Sequence, residues 1–212
     1  MKIKRLIDVS RRIYPGMTIW PGDPSVNLKR EYSISKGDKC NFSAVSMGVH
    51  TGTHLDAPLH FIDNGIDIAS LDLSGFIGYV KVFSVASKKC ISSKDIEEMD
   101  INEGDIVFFK TLNSTFPENS GFNKDFVYLD TSAAELLVEK KIKTVGVDYL
   151  SVDSYHSQTA AAHKILLSNH IGIIESLILK DINEGTYFFS CLPLKFEGAD
   201  GSPARAVLIE FE

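Results

Sequence analysis

The sequence has little of what marks secreted or membrane-bound proteins. It contains 3 cysteines in 212 residues, an odd and widely spaced set that argues against a disulfide framework and against a cysteine-based zinc site. No stretch approaches the roughly 18 apolar residues that a membrane-spanning helix needs, and the N-terminus lacks an apolar signal-peptide core. These absences predict a cytoplasmic protein with no membrane partner.

An excess of positive charge is also missing. The chain has 22 Lys and Arg against 28 Asp and Glu, a net charge of −6, so it has no global positive field that would attract nucleic-acid phosphates. Nucleic acid is therefore not an expected partner. The 44% hydrophobic and 24% charged content is typical of a globular domain and excludes disorder, collagen and coiled coil.

No composition shift, low-complexity segment or internal repeat divides the chain, so we expect residues 1–212 to form a single domain. Seven short runs rich in β-branched and aromatic residues predict strands. These runs cover residues 80–86, 105–110, 126–129, 144–147, 172–175, 186–192 and 204–210.

Fewer segments predict helices. Ser132 is expected to cap a helix over residues 133–141. A second helix is expected from about residue 159 to 168, ending before Asn169, a residue type that tolerates left-handed backbone. A third, shorter helix is expected near residues 92–96. Helices that alternate with strands predict a mixed α/β or α+β sheet protein.

Half of the 6 histidines fall between residues 50 and 60. His50, His54, Asp56 and His60 follow the spacing H-x3-H-x-D-x3-H. Neutral imidazole and carboxylate are the usual nitrogen and oxygen ligands of zinc and manganese. The clustering favours a metal site over a set of hydrogen-bonded structural histidines.

The conformation of this segment also follows from its residues. Thr, Gly and Pro are poor helix formers, so an extended chain is expected, and the even intervals place all four polar side chains on one face. A flat strand would separate His50 from His54 by roughly 13 Å at ~3.3 Å per residue, too far to share an ion held at about 2 Å. We therefore expect the chain to curl at Gly52.

The same segment resembles the H-x-G-T-H-x-D-x-P-x-H signature of the metal-dependent cyclase family, which includes the bacterial kynurenine formamidases (arylformamidases). The resemblance extends over nearly the whole chain. It includes residues 8–10, 19–23, 147–148, 151–153 and 197–206, together with His163 and Glu175. Residues 151–154 depart from the family pattern because no proline follows the aspartate.

The resemblance implies two divalent metal ions per chain, Zn²⁺ with Mn²⁺ as the alternative. It makes His50, His54 and Asp56 ligands of one ion, with Asp56 bridging to a second ion held by His163 and Glu175. The sequence itself supports the second half of this site. Glu175 interrupts an apolar run, where an unpaired buried carboxylate would cost several kcal/mol that a metal offsets.

The resemblance also makes His60 the proton donor and acceptor and places Trp20 in the wall of the substrate pocket, although composition alone favours a core position for Trp20. His170 follows a predicted helix end, where a cation interacts favourably with the helix dipole, so we expect it to be structural. His156 lies in a loop, either exposed or reaching the pocket.

For the fold, the resemblance implies a single swivelling β/β/α domain with a small barrel-like mixed sheet and flanking helices, assembled as a dimer or tetramer. For the activity, it implies a hydrolase acting on a small molecule: N-formyl-L-kynurenine is hydrolysed to L-kynurenine and formate in tryptophan catabolism by a metal-activated hydroxide. No G-x-S-x-G or Cys-His signature favours a covalent route.

Two alternatives remain. One is a related hydrolase of another small cyclic amide, lactone or ester, and the other is a non-catalytic metal-binding or ligand-binding module. The presence of His60 favours catalysis, because a pure binding site needs no proton-transfer residue.

Overall fold

The computed structural model of the protein describes residues 2–87, 89–118 and 120–212, and in this part of the chain twelve strands alternate with three short α-helices. The strands are β1 (Ile3–Asp8), β2 (Asn27–Tyr32), β3 (Phe42–Ser46), β4 (His54–Asp56), β5 (Ile77–Ser84), β6 (Cys90–Ile91), β7 (Ile106–Lys110), β8 (Tyr128–Leu129), β9 (Thr144–Val147), β10 (Gly172–Glu175), β11 (Gly185–Pro193) and β12 (Gly201–Phe211). The helices are α1 (Ser93–Ile96), α2 (Thr131–Glu139) and α3 (Ala161–Ser168). Among the described residues, no helix has the length and apolar character needed to cross a membrane.

The main sheet closes on itself. Its strands follow the order β1-β12-β11-β5-β7-β9-β10-β4, and β4 pairs again with β12, so seven strands form a ring and β1 flanks it. The pairs from β5 to β10 are parallel, and the others are antiparallel. The first strand therefore pairs with the last, which joins both ends of the chain in one sheet.

The side chains of strand β7 explain why helices pack against one face of the sheet. Its side chains alternate between two buried clusters, because successive residues of a strand point to opposite faces. Ile106 and Phe108 pack inside the ring, whereas Val107 and Phe109 pack against residues of α2 and α3. A strand buried on both faces reads as a continuous apolar run, as this one does.

All seven predicted strands are present, in full or in part. Residues 144–147 and 172–175 coincide with β9 and β10, and the other five predicted strands overlap β5, β7, β8, β11 and β12 with shifted ends. Strands β1, β2, β3 and β6 were not predicted, whereas β4 lies in the segment that was expected to be extended. A short helix near residues 92–96 is present as α1, with Ser92 and Asp95 forming a reciprocal capping box.

Helix α3 ends at Ser168, before Asn169, as predicted, but two details of the predicted helix ends were wrong. Asp130 caps α2 instead of Ser132: its Oδ1 accepts the Ala133 N–H at 3.0 Å and the Ser132 hydroxyl at 2.7 Å, since a carboxylate is a strong acceptor at a helix N-terminus. At the end of α3, Asn169 has φ −102°, and the left-handed residue is His170 with φ 59°.

Candidate functional site

The predicted ligand segment is not one continuous strand. Only β4 is extended, and it pairs with β10 on one side and with the start of β12 on the other. Gly52 has φ +71°, so the chain curls where the sequence predicted. Pro58–His60 forms a turn of 3-10 helix. The prediction that His60 shares an extended face with the other three residues was therefore wrong, because Pro58 begins a helical turn and ends the extended chain.

Two further elements bring side chains to β4. Register places Glu175 of β10 opposite His54, and His163 lies in the first turn of α3. His163 Nε2 lies 3.1 Å from Glu175 Oε1 and 3.4 Å from Asp56 Oδ2, and His50 Nδ1 lies 2.9 Å from Asp56 Oδ1. The structure thus brings together all five predicted ligands, with both carboxylates fully inside the protein.

Each of the three histidines in this cluster has one ring nitrogen held by an acceptor behind it. The bonds run from His54 Nδ1 to Gly52 O at 2.8 Å, from His163 Nδ1 to Asp153 Oδ2 at 2.6 Å and from His50 Nε2 to Asp200 Oδ2 at 2.9 Å. The opposite nitrogen of each ring then faces Asp56 or Glu175. An acceptor behind the ring fixes the tautomer and aims the other nitrogen, as in metal-ligating histidines.

Two atoms of the cluster lack a hydrogen-bond partner among the described residues: His54 Nε2 and Asp56 Oδ2, both fully buried. Burying an unsatisfied polar group costs free energy, so each such atom requires an explanation. Ligand atoms of His50, His54 and Asp56 lie within 4.8 Å of one another, as do those of Asp56, His60 and His163. The two unpaired atoms and the nitrogen and oxygen donor set fit a divalent metal ion.

The charges of the metal-free cluster compensate one another. Burial lowers the pKa of His54, but the carboxylates of Asp56 and Glu175 outweigh burial and raise this pKa to about 10. Burial also lowers the pKa of His163, but the neighbouring carboxylates, led by Asp153, have the larger effect and raise this pKa well above its usual value. Burial raises the pKa of Asp56, but the surrounding imidazoles hold it well below its usual range. A bound cation would take the place of these protons.

His60 differs from the ligand histidines. Burial, together with the neighbouring His50 and His163 rings, keeps the pKa of His60 below its usual 6.5. Its Nδ1 lies 3.2 Å from Asp200 Oδ2, and its ring stacks on that of His50 with the centroids 3.9 Å apart. At neutral pH the ring is therefore uncharged, with Nδ1–H donated to Asp200 and Nε2 able to accept a proton.

These side chains form one wall of a cavity of about 300 Å³. The cavity is lined by Trp20, Asp23, His50, His60, Phe61, Leu150, Ser151, His163 and Glu175. Trp20 is half-buried, and its ring contacts Phe122 and Tyr155 at centroid distances of 5.0 and 5.5 Å. Trp20 thus lies in the pocket wall, and not in the core that composition alone favoured.

The two remaining histidines lie away from this cavity. The His156 side chain is 65% exposed, with its Nε2 3.8 Å from Asp125 Oδ1. His170 lines a different, larger cleft of about 420 Å³ whose walls are mainly apolar. That cleft reaches the histidine and carboxylate cluster only at Asp56, so the smaller cavity is the candidate site.

Sequence reasoning assigned no role to Asp153 and Asp200, which hold His163 and His50 from behind. Asp153 also accepts the N–H groups of Ala162 and His163 at 3.0 Å, so it caps α3 from outside that helix. A signal for both residues existed, because each lies in a segment that carries the family resemblance. Their function depends on contacts across the fold, which spacing along the chain does not show.

Comparison with known proteins supports the same interpretation. The family model described as putative cyclase matches residues 7–154. Kynurenine formamidase of Erythrobacter litoralis (strain HTCC2594) is 35% identical over 208 residues, covering 98% of this chain and 94% of the relative. Kynurenine formamidase of Bacillus thuringiensis subsp. konkukian (strain 97-27) is 32% identical over 208 residues, covering 98% and 99%.

A solved structure described as a potential metal-dependent hydrolase with cyclase activity superimposes with a TM-score of 0.86. It is 38% identical in sequence, and the match covers 98% of both chains. This likeness confirms the predicted mixed α/β fold with a barrel-like sheet.

Proposed function

The chain belongs to the putative cyclase family, and on that basis we propose that it is a metal-dependent hydrolase that converts N-formyl-L-kynurenine to L-kynurenine and formate. The reaction breaks a C–N bond that is not a peptide bond and belongs to tryptophan catabolism. Relatives named kynurenine formamidase, matched over nearly their full length, support this substrate. The observation that carries the proposal is the buried cluster, in which two ligand atoms lack a hydrogen bond, placed beside His60 in a cavity wall.

We propose that the cluster holds two divalent ions. His50, His54 and Asp56 would hold one ion, and His163 and Glu175, sharing Asp56, would hold the other. A divalent ion in this position polarises a carbonyl oxygen and lowers the pKa of a water molecule. The orientation of each imidazole toward the two carboxylates supports the assignment. Nitrogen and oxygen donors of this kind suit Zn²⁺ and also accept Mn²⁺.

His60 is the proposed proton carrier. In its uncharged form it accepts a proton at Nε2 from the water that adds to the formyl carbon. When the C–N bond breaks, its electron pair goes to the departing nitrogen, and His60 gives the proton to that nitrogen. Asp200 accepts the Nδ1–H of His60 and so keeps the tautomer that leaves Nε2 as the acceptor.

Trp20 is the proposed contact for the aromatic ring of the substrate. It lies in the same cavity wall as His60, and the cavity volume of about 300 Å³ is at the lower end of the range for small-molecule pockets. An indole face can stack on an aniline ring, and such pairs contribute roughly 0.5–1.5 kcal/mol beyond area burial.

A related hydrolase of a cyclic amide, lactone or ester is the second candidate. Its motivation is the segment 151–154, which departs from the family pattern because no proline follows Asp153, and which begins with Ser151 in the cavity lining. A non-catalytic binding module is disfavoured, because the uncharged His60 has no role in it.

A substrate panel separates these functions. The purified protein is given N-formyl-L-kynurenine, a small aliphatic N-formyl amine, a cyclic aryl amide, a lactone and an aryl ester. We expect kcat/KM for N-formyl-L-kynurenine to exceed the others by about tenfold or more, consistent with a few contacts specific to the aryl amide. A preference for the cyclic amide or the lactone would select the second candidate.

Three other features are part of the proposal. We propose one domain over residues 1–212, supported by the pairing of β1 with β12. A cytoplasmic location agrees with three free cysteines, among them the exposed Cys40. We further propose a homo-oligomer, a dimer or tetramer.

A further inference from the structure

One carboxylate of the candidate cavity takes no part in the ligand cluster. The cavity lining contains two acidic residues, Asp23 and Glu175. Glu175 is engaged, because its Oε1 accepts the Val152 N–H at 2.7 Å and lies 3.1 Å from His163 Nε2. The Asp23 side chain forms no hydrogen bond or ion pair with any other described residue. Its oxygen atoms are therefore unused acceptors in the pocket wall.

The backbone holds Asp23 next to Trp20. Residues 20–23 form a β-turn, in which the Asp23 N–H donates to the Trp20 carbonyl oxygen at 3.1 Å. Pro21 and Gly22 occupy the two central positions, and Gly22 has φ +101°; proline followed by a residue of positive φ is the type II pattern. The Cα atoms of the first and last residues of a β-turn lie within about 7 Å of each other. Trp20 and Asp23 therefore line one cavity from neighbouring points of a constrained turn.

The position of Asp23 suits a cationic ligand group. The residue is half-buried, and partial removal from water strengthens the attraction between a carboxylate and a bound cation. An ammonium group has three N–H donors and no acceptor, and a hydrogen bond from it to a carboxylate is of the strong, charge-assisted kind. A ligand with an ammonium group thus supplies what the protein does not give to Asp23.

The lining has no equivalent group for an anion. No lysine or arginine is among the described residues that line the cavity, and its three histidines belong to the proposed ligands and the proposed proton carrier. The remaining polar side chain is that of Ser151, which is buried and whose Oγ accepts the Asp153 N–H at 3.2 Å. Apart from the histidine and carboxylate cluster, the pocket wall therefore favours a positive ligand group over a negative one.

The proposed substrate carries both charges at its aliphatic end. N-formyl-L-kynurenine is an aryl formamide whose ring bears a short chain with an α-ammonium group and an α-carboxylate. Because the chain is short, a residue that contacts the ring and a residue that binds the ammonium group must lie close together, as Trp20 and Asp23 do. Asp23 would repel a carboxylate at the same place, and such repulsion contributes to specificity as much as attraction does.

We propose that Asp23 determines which aryl formamides the site accepts, by binding an aliphatic ammonium group of the substrate. The α-carboxylate of the substrate has no partner in the wall and stays in solvent. This inference rests on the proposed formamidase function and narrows its substrate class to aryl formamides whose side chain carries an ammonium group, with or without a carboxylate. Trp20 contacts the ring, and Asp23 selects the charge of the chain.

Steady-state kinetics at neutral pH on three substrates test this selection. They are N-formyl-L-kynurenine, its decarboxylated analogue, which keeps only the ammonium group, and its deaminated analogue, which keeps only the carboxylate. We expect kcat/KM for the first two to agree within about threefold, because a solvated charge contributes little. The deaminated analogue should be poorer by about 10- to 100-fold, the usual effect of one hydrogen bond to a charged group.

Asp23→Asn is the matching variant, because the amide keeps the size of the side chain and removes its charge. KM for both ammonium-bearing substrates should rise about 10- to 100-fold with kcat nearly unchanged, as expected when binding alone is lost. The kinetics of the deaminated analogue should not change. Equal loss on all three substrates, or no loss on any, would overturn the proposal.

Asp125→Asn is the control for removal of a negative charge. The side chain of Asp125 is 91% exposed, and this variant should leave all three substrates unaffected. Thermal melting checks folding. Because the Asp23 side chain has no hydrogen bond to another part of the described chain, both variants should melt at nearly the wild-type temperature.

Isothermal titration calorimetry separates this inference from the proposed reaction. The two ligands are ortho-aminophenyl ketones that resemble the product, one with an aminoethyl chain and the other with a carboxyethyl chain. The wild-type protein should bind the ammonium ligand about tenfold more tightly or better, and Asp23→Asn should lose this preference. If no aryl formamide is hydrolysed, the proposed reaction fails, whereas this preference and its loss would still support the role of Asp23. Equal wild-type affinity for the two ligands, or binding of neither, would overturn that role.

Discussion

The orientation of the ligand histidines originates in residues that lie behind them. Gly52, Asp153 and Asp200 each accept a ring N–H, and this leaves the other ring nitrogen directed at a carboxylate. Asp200 contacts both a proposed ligand, His50, and the proposed proton carrier His60. The proposed ligand and the proposed proton carrier are therefore adjacent in space, and separate substitutions can test metal binding and proton transfer.

Asp56→Ala and His60→Ala should fail in different ways. Asp56→Ala should lose both bound metal and activity, because its carboxylate is common to the two proposed ion sites. His60→Ala should retain metal and lose activity by about 10²- to 10⁴-fold, the usual contribution of a general acid-base group. Metal content by plasma mass spectrometry and kcat on the same samples check this, and equal metal loss in the two variants would contradict the division of roles.

Asp153→Asn should weaken metal binding without removing a ligand. The carboxylate that orients His163 becomes a neutral amide, and loss of such a partner typically costs about 10- to 100-fold in affinity. Competition with a chromophoric chelator measures the affinity. Asp125→Asn, at an exposed position near His156, is the control and should leave the affinity unchanged. An unaltered affinity in Asp153→Asn would show that His163 needs no orienting acceptor.

Trp20→Ala should affect aromatic substrates selectively. We expect KM for N-formyl-L-kynurenine to rise about fivefold to tenfold, as the loss of a stacking contact of roughly 1 kcal/mol implies, with little change in KM for an aliphatic N-formyl amine. Steady-state kinetics on both substrates provide the comparison. If both KM values rise equally, Trp20 supports the pocket wall without contacting the substrate ring.

At the scale of elements, strands and helices were predicted most accurately where a local sequence pattern alone determines their bounds. Strands β9 and β10 were predicted at their observed bounds, because short β-branched runs are flanked there by clear helix and turn signals. Strand β1 was missed, because its burial pattern is almost wholly exposed and its partner is the last strand of the chain. The cap of α3 could not be predicted from adjacent residues either, because the N–H groups at the start of α3 donate to Asp153, which lies outside the helix.

The cap of α2 gives a test at this scale. Asp130→Ala should lower the free energy of unfolding by about 1 kcal/mol, because the Ala133 N–H loses its acceptor. For a chain of this size, that is a drop in Tm of about 2–4 °C. Thr131→Ala, at the exposed first position of the helix, should stay within about 0.5 kcal/mol. Equal destabilisation in the two variants by thermal melting would remove Asp130 as the cap.

At the scale of the whole molecule, the closed sheet assembles the site from distant parts of the chain. The pairing of β4 with β10 and β12 brings His54 next to Glu175 and Pro203, and α3 adds His163. The histidine spacing identified the first group of ligands in advance, because it lies in one short segment. The orienting contacts of Asp153 and Asp200 become visible only in the folded structure.

The most direct test of the account is turnover of N-formyl-L-kynurenine by the purified full chain, with bound metal counted on the same sample before and after chelation. The account predicts about two metal ions per chain, turnover that chelation abolishes, and recovery when Zn²⁺ or Mn²⁺ is restored. Full turnover by a thoroughly metal-free sample would contradict it, and a protein that binds no metal would return the histidine cluster to a purely structural role.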